Sequence, residues 1–253
     1  MTAIAFLHRF LRIWAVGVVG VAALLLQAPP AALLAAAPQL ASLPDWQVRL
    51  LLALNPFVLM TVMAAAGTAL AHRVGLRSRL AGDGDAVIDL RLAALAGTLV
   101  ALALLGLDAL LAPHLGARWE AFLRQANAQA DAASWLISVL YGGLAEEVLA
   151  RWGVMSLVIA AVTWRSVAVP GGVPPAGAVW LGIAVSAALF AAGHLPALAQ
   201  GIGLDPGVVA RTLALNMLAG VVYGWLFWRR GLECAMLAHI VTHLVLGTSR
   251  LLG

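Results

Sequence analysis

The sequence predicts an all-α, polytopic transmembrane helical bundle of about seven spans, with six to eight as the bounds. Three observations carry this. The 253 residues are 63% hydrophobic and only 10% charged, where a soluble domain has about 25% charged residues. The apolar residues fall into runs of roughly 20, the length that crosses a bilayer. The basic residues, all arginine, concentrate in alternate connecting segments, as the positive-inside rule requires.

On that length rule the spans are expected at about residues 10–27, 50–71, 88–112, 133–162, 176–199, 208–228 and 232–248. The first follows Arg9 and Arg12 and precedes Ala35-Ala36-Ala37, which superficially resembles a signal peptide. A retained anchor is preferred, because the rest of the chain needs a membrane anyway. Segment 28–47, with Pro29, Pro30, Pro38 and Pro44, reads as an outer loop. Segment 114–131 reads as an interfacial helix anchored by Trp119 and Phe122. The run 133–162 is too long for one untilted span, so a break or strong tilt is expected near Gly142-Gly143 or Gly153. Loop 165–177 reads as a turn without chemistry. Residues 1–131 match nothing specific and 132–253 form the candidate catalytic core, the whole being one integrated membrane domain.

An N-terminus inside puts nine arginines on the cytoplasmic side (Arg9, Arg12, Arg73, Arg77, Arg79, Arg91, Arg165, Arg229 and Arg230). Five are left outside (Arg49, Arg118, Arg124, Arg211 and Arg250). That bias supports a cytoplasmic N-terminus. The Ala/Leu/Arg-rich composition suits a high-GC bacterium, and with it an integral protein of the inner membrane. No basic run with interleaved aromatics occurs, which excludes nucleic acid as a partner. One cysteine, Cys234, excludes an internal disulfide and any multi-cysteine metal site.

Against this apolar background Glu146, Glu147 and Arg151 stand out as the only charges between Trp135 and Ile159. Each costs about 2.5–3.5 kcal/mol at a membrane centre even on lenient scales, so three together point to use. Glu147 and Arg151 are four apart and share a helix face with the glutamate N-terminal, the favourable order for an ion pair. Glu146 lies about 100° around an α-helix from Glu147 and is left free to face a cavity. His239 and His243 are also four apart, as are Phe190 and His194. Asn216 is a further polar residue in an apolar span. Gly142, Gly143, Gly193, Gly220 and Gly224 permit the close helix approach that convergence needs. A buried carboxylate beside imidazoles can activate water, and a second polar pair can hold an oxyanion. That set suits amide hydrolysis in or at the membrane.

Glu146-Glu147-Val148-Leu149-Ala150-Arg151 fits E-E-x-x-x-R, Phe190-Ala191-Ala192-Gly193-His194 fits F-x-x-x-H, and His239 heads a third motif. In this order the sequence resembles the CPBP (CAAX protease and bacteriocin-processing, or ABI) family of intramembrane glutamic proteases over about residues 132–248. The resemblance implies that Glu146 and His194 activate water. It also implies that Glu147 and Arg151 support the site, that His239 and the residue four later line the oxyanion pocket, and that the cavity opens toward the cytoplasm. That later residue is commonly asparagine in the family and is His243 here. Histidine can donate the same hydrogen bond. Glu146, His194, His239 and His243 also form a conceivable zinc set, although metal-free hydrolysis, with no cofactor, is favoured.

Other chemistries fit less well. No H-E-x-x-H occurs, which removes the zincin-type site. Gly82-Asp83-Gly84-Asp85 mimics the G-x-G-D of aspartyl intramembrane proteases but lies in a polar loop. Asp108 reads as near the outer interface. The expected function is therefore an intramembrane endopeptidase cutting a membrane-anchored protein or peptide, in CAAX-type processing or peptide maturation. Two alternatives are a non-catalytic immunity or scaffold protein that binds a bacteriocin, and a proton-relaying transporter. An intact motif set opposes the first alternative, and the lack of two related halves opposes the second.

Overall fold

The computed structural model describes residues 2–84, 88–164 and 173–252, and every element among them is helical. Arg165, Asp85 and most of the 165–177 turn lie outside the described residues. The order is α1 (Ala3–Ala23), extended by a 3₁₀ turn to Leu26, the short α2 (Ala31–Ala36) and α3 (Pro38–Ala41), then α4 (Asp45–Leu70). There follow α5 (Leu90–Leu111), α6 (Gly116–Ala128), α7 (Ala132–Ile137), two π-helical stretches (Ser138–Glu146 and Val148–Met155), and α8 (Ser156–Thr163). The chain ends with α9 (Ala176–Ala192), α10 (Leu195–Gly201), α11 (Pro206–Arg230) and α12 (Leu232–Leu252). Among the described residues six helices are long and apolar enough to cross a membrane. The run α7–α8, whose helices are shorter singly, threads between them as the site-bearing segment.

A break or a strong tilt was expected near Gly142-Gly143 or Gly153, and the run has no break at these glycines. It is rewound instead. Thirty-two α-helical residues would span roughly 48 Å against a hydrocarbon core of about 30 Å. A π-helix bonds i to i+5 and rises less per residue, so rewinding shortens the run without leaving a backbone group unpaired in lipid. At its start Asp131 caps α7 in a reciprocal box with Ser134. The hydrogen bonds from Ser134 hold the Asp131 carboxyl below its usual range.

Successive long helices alternate in direction. Trp14 of α1 donates its indole N–H to Thr61 Oγ1 of α4 at 2.9 Å, while Arg49, at the start of α4, reaches the Leu25 carbonyl. The two therefore run antiparallel. Small residues set the level of the site: a Cβ on Gly20 would lie 2.8 Å from Ala145 Cβ, and Gly97 abuts the Ala238 carbonyl. Gly224 meets Ile183 and Gly220 meets Ala187, which zips α11 antiparallel onto α9. We call the face carrying the start of α1 the near face, and the face carrying α6 and α10 the far face.

Two expectations need amending. The 28–47 segment contains two short helices, and α4 begins at Asp45 rather than near residue 50, because Asp45 and Trp46 supply a polar, interfacial first turn. On α6 Trp119 is 2% exposed and so is not a lipid anchor. It lies under the guanidinium of Arg211 at 4.4 Å, and Arg211 pairs with Asp108 at 2.6 Å. The ring shields an ion pair at the far end of α5 and α11, where Asp108 was expected to lie. Near-face Asp83 is also structural, accepting from the Ser78 amide at 2.9 Å.

Candidate active site

The glutamates and the third-motif histidines meet across two elements. His239 of α12 is the hub. Its Nδ1 lies 2.9 Å from Glu147 Oε1, and its Nε2 lies 3.1 Å from His243 Nε2 and 4.0 Å from Glu146 Oε2. The two carboxylates thus address opposite nitrogens of one imidazole. Glu146, expected from its spacing to be free of the Glu147–Arg151 pair, lies outside that pair and beside the second nitrogen of His239.

Donor chemistry indicates which ring nitrogens donate. A carboxylate oxygen accepts, so in its bond to Glu147 the hydrogen is carried by His239 Nδ1. Its Nε2 then accepts, and the contact to His243 requires His243 to donate from Nε2. His194 sits apart, in the turn between α9 and α10. Its Nδ1 is 2.9 Å from the Phe190 carbonyl, an acceptor, so Nδ1 holds the proton and Nε2 is the free basic nitrogen. No ion pair joins His194 to a carboxylate among the described residues. What links it to the cluster is Phe190, whose ring meets His194 at 4.9 Å and His239 at 5.9 Å, edge-on to both.

Beneath this layer Glu147 and Arg151 are fully buried and 3.3 Å apart. The pair is close enough for an ion pair, but its angles fall short of a hydrogen bond. We read it as electrostatic, since two opposite charges face each other at this distance in a fully buried setting. Arg151 also donates to the Gly220 carbonyl at 3.2 Å, and its guanidinium sits 4.7 Å from the Phe190 ring centre. One arginine therefore ties the π-helical segment to α9 and α11.

Further supports were not apparent from the motifs. Tyr223 stacks on His239 at 4.5 Å and donates to Thr242 Oγ1 at 2.7 Å, while Thr242 reaches the Gly97 carbonyl at 3.0 Å. Ser186 of α9 donates to the Ala150 carbonyl at 2.8 Å. Tyr223 and Thr242 each lie at helical spacing from a site residue or a close-approach glycine, which was the only signal available. Gly142 was expected to allow close approach, and it does: a Cβ there would stand 2.5 Å from His243 Nε2. Asn216 merely donates its side-chain amide to the Thr212 carbonyl one turn earlier in its own helix.

Among the described residues no group of three or more His, Cys, Asp and Glu side chains is arranged to hold a metal ion. Both nitrogens of His239 are engaged by protein partners, and His194 stands off. An apolar groove of about 580 Å³ between α1 and α4, lined by Val18, Leu25, Leu54 and Phe57 among others, shares no residue with this cluster.

What remains is one partly exposed carboxylate, Glu146 at 19%, beside a chain of imidazoles anchored from below. Such a group can take a proton from water, and the neighbouring N–H groups can hold a developing oxyanion. Residues 128–245 match a family model described as Type II CAAX prenyl endopeptidase Rce1-like. The match runs from the end of α6 into α12 and leaves α1, α4 and α5 outside. No curated protein and no solved structure matches the chain.

Proposed function

We propose that the chain, whose residues 128–245 match this family of endopeptidases, hydrolyses a peptide bond of a membrane-associated protein or peptide with Glu146 as general base. The observation that carries the assignment is the division between the two glutamates. Glu147 is fully buried and held by Arg151 and His239, whereas Glu146 is partly exposed and 4.0 Å from His239 Nε2.

In the reaction Glu146 removes a proton from water as the water oxygen bonds the scissile carbonyl carbon. The carbonyl oxygen becomes an oxyanion, held by the Nε2–H of His243 as that hydrogen turns from His239 Nε2 to the substrate. As the tetrahedral intermediate collapses the C–N bond breaks, and Glu146 returns its proton to the leaving amine. His194, with Nε2 free, orients the water or takes part in its deprotonation. His243 fills the oxyanion role that asparagine fills in the family, because its Nε2–H donates in the same sense. The route uses no metal and no cofactor.

The test is cleavage of a co-expressed candidate substrate by Glu146→Ala, His194→Ala and His243→Asn variants. General-base catalysis is worth about 10²–10⁴-fold, so Glu146→Ala is expected to lose at least that, His194→Ala to fall substantially, and His243→Asn to retain activity. Wild-type cleavage by Glu146→Ala would sink the assignment.

A further inference from the structure

A peptide bond can meet Glu146 and its water only where the substrate backbone is extended, because in a helix the carbonyl and the N–H are already bonded. The other N–H and C=O groups of that extended stretch then need partners, and hydrocarbon supplies none. The groups described so far offer the substrate one donor, His243, and that donor serves the scissile carbonyl.

Most polar side chains around the cluster are spent within the protein. Ser138 donates to the Ser134 carbonyl, Ser186 to the Ala150 carbonyl and Tyr223 to Thr242, while Thr242 is itself held to the Gly97 carbonyl. Beyond the groups given to the chemistry, two partly exposed side chains among the described residues keep a polar group in hand. The Tyr141 hydroxyl makes no hydrogen bond to the described protein. Asn216 gives its amide N–H to the Thr212 carbonyl, which leaves Oδ1, an acceptor, without a protein partner.

Position ties both to the cluster. Tyr141 lies five residues before Glu146 within the π-helical stretch Ser138–Glu146, the spacing that a π-turn closes, and it is within electrostatic reach of the Glu146 carboxylate. Its neighbour Gly142 abuts His243. Asn216 precedes Tyr223 by seven residues on α11, about 20° short of two turns. It therefore shares the face from which Tyr223 stacks on His239. The π-helical stretch and α11 both pack on α12, so the donor and the acceptor stand on separate walls beside the two histidines of α12.

We propose that these two groups clamp the substrate backbone beside the scissile bond, the Tyr141 hydroxyl donating to a peptide carbonyl and Asn216 Oδ1 accepting from a peptide N–H. The clamp rests on the peptidase reading above and extends it to the class of substrate. Main-chain contacts of this kind read extension and not side-chain identity. The substrate is then an extended peptide stretch with a free N–H opposite Asn216, and proline, which has no N–H, is disfavoured there.

The test measures binding without turnover, using Glu146→Ala protein in nanodiscs and a fluorescent peptide with a prenylated CAAX terminus. Adding Tyr141→Phe or Asn216→Leu is expected to weaken binding about 2- to 12-fold each, the range for one hydrogen bond, with thermal unfolding little changed. Tyr141→Phe deletes one oxygen and keeps the ring, so it serves should Asn216→Leu fail to fold. Two sets of peptide analogues separate contact from structure. An ester replacing one non-scissile amide removes an N–H, and at one position it should weaken binding to the Glu146→Ala parent but not to its Asn216→Leu derivative. A thioamide, whose sulfur accepts weakly, should behave likewise with Tyr141→Phe. Equal losses in parent and derivative, unchanged binding by both derivatives, or no binding of the peptide at all overturns the clamp. The same peptide is given to protein that retains Glu146. Binding in the expected pattern without cleavage would refute the peptidase reading and leave the clamp, whereas cleavage with binding that neither substitution alters would do the reverse.

Discussion

Gly142→Ala is the sharpest probe of the imidazole chain, because it adds one methyl group at a known distance. The new Cβ would stand 2.5 Å from His243 Nε2 and 3.4 Å from His239 Nε2. Carbon contacts relax at about 3.5 Å, so the His243 ring must retreat by about 1 Å while His239 barely moves. Alanine gains about 0.5–1 kcal/mol of helix propensity over glycine, and the overpacking costs about 1–3 kcal/mol, so stability falls only modestly. Activity is affected more, since a 1 Å misplacement in a positioned site costs about 10²-fold, or about 2.7 kcal/mol of transition-state stabilisation. The assay is kcat and KM on a cleaved peptide in detergent or nanodiscs, with thermal unfolding run in parallel. Adding His243→Asn, which shortens the side chain in conflict, is expected to restore kcat. Wild-type kcat in Gly142→Ala, or a loss that His243→Asn leaves unrelieved, would refute the geometry.

Arg151→Met leaves the Glu147 carboxylate buried beside a single hydrogen-bond partner, and breaking a buried pair in this way costs about 3–5 kcal/mol. The Arg151→Met/Glu147→Gln double variant should recover much of that loss in denaturant or unfolding-trap measurements, and additive losses would contradict the pairing. Tyr223→Phe keeps the stack on His239 but deletes the hydrogen bond to Thr242, so unfolding should register about 0.5–1.5 kcal/mol with cleavage largely intact. Tyr223→Ala removes the stack too and should lower kcat. Treatment with a zinc chelator should leave cleavage unchanged, and loss of activity restored by zinc alone would overturn the metal-free route.

Much of the site was legible because membrane burial makes ionisable residues rare. Glu146, Glu147, Arg151, His194, His239 and His243 stand out against apolar surroundings, and a spacing of four identifies Glu147 with Arg151 and His239 with His243 as same-face pairs. The seven apolar runs were readable for the same reason, since length and composition alone satisfy the bilayer. Element ends were less legible. Asp45 extends α4 beyond its apolar run, and α9 ends at Ala192 inside a stretch that hydropathy treats as continuous.

Tertiary structure decided how the pairs combine. Both glutamates reach His239 from the π-wound stretch Ser138–Met155, and no periodicity in the residues announces that winding. The hub role of His239, the stack with Tyr223 and the separation of His194 depend on which helices adjoin. Those contacts join residues far apart in the chain, such as Thr242 with Gly97. The sequence by itself determined that costly charges and imidazoles lie in the membrane and which of them share a helix face. Only the packed bundle decided which nitrogen meets which oxygen, because distance is a property of adjoining helices and local spacing does not encode it.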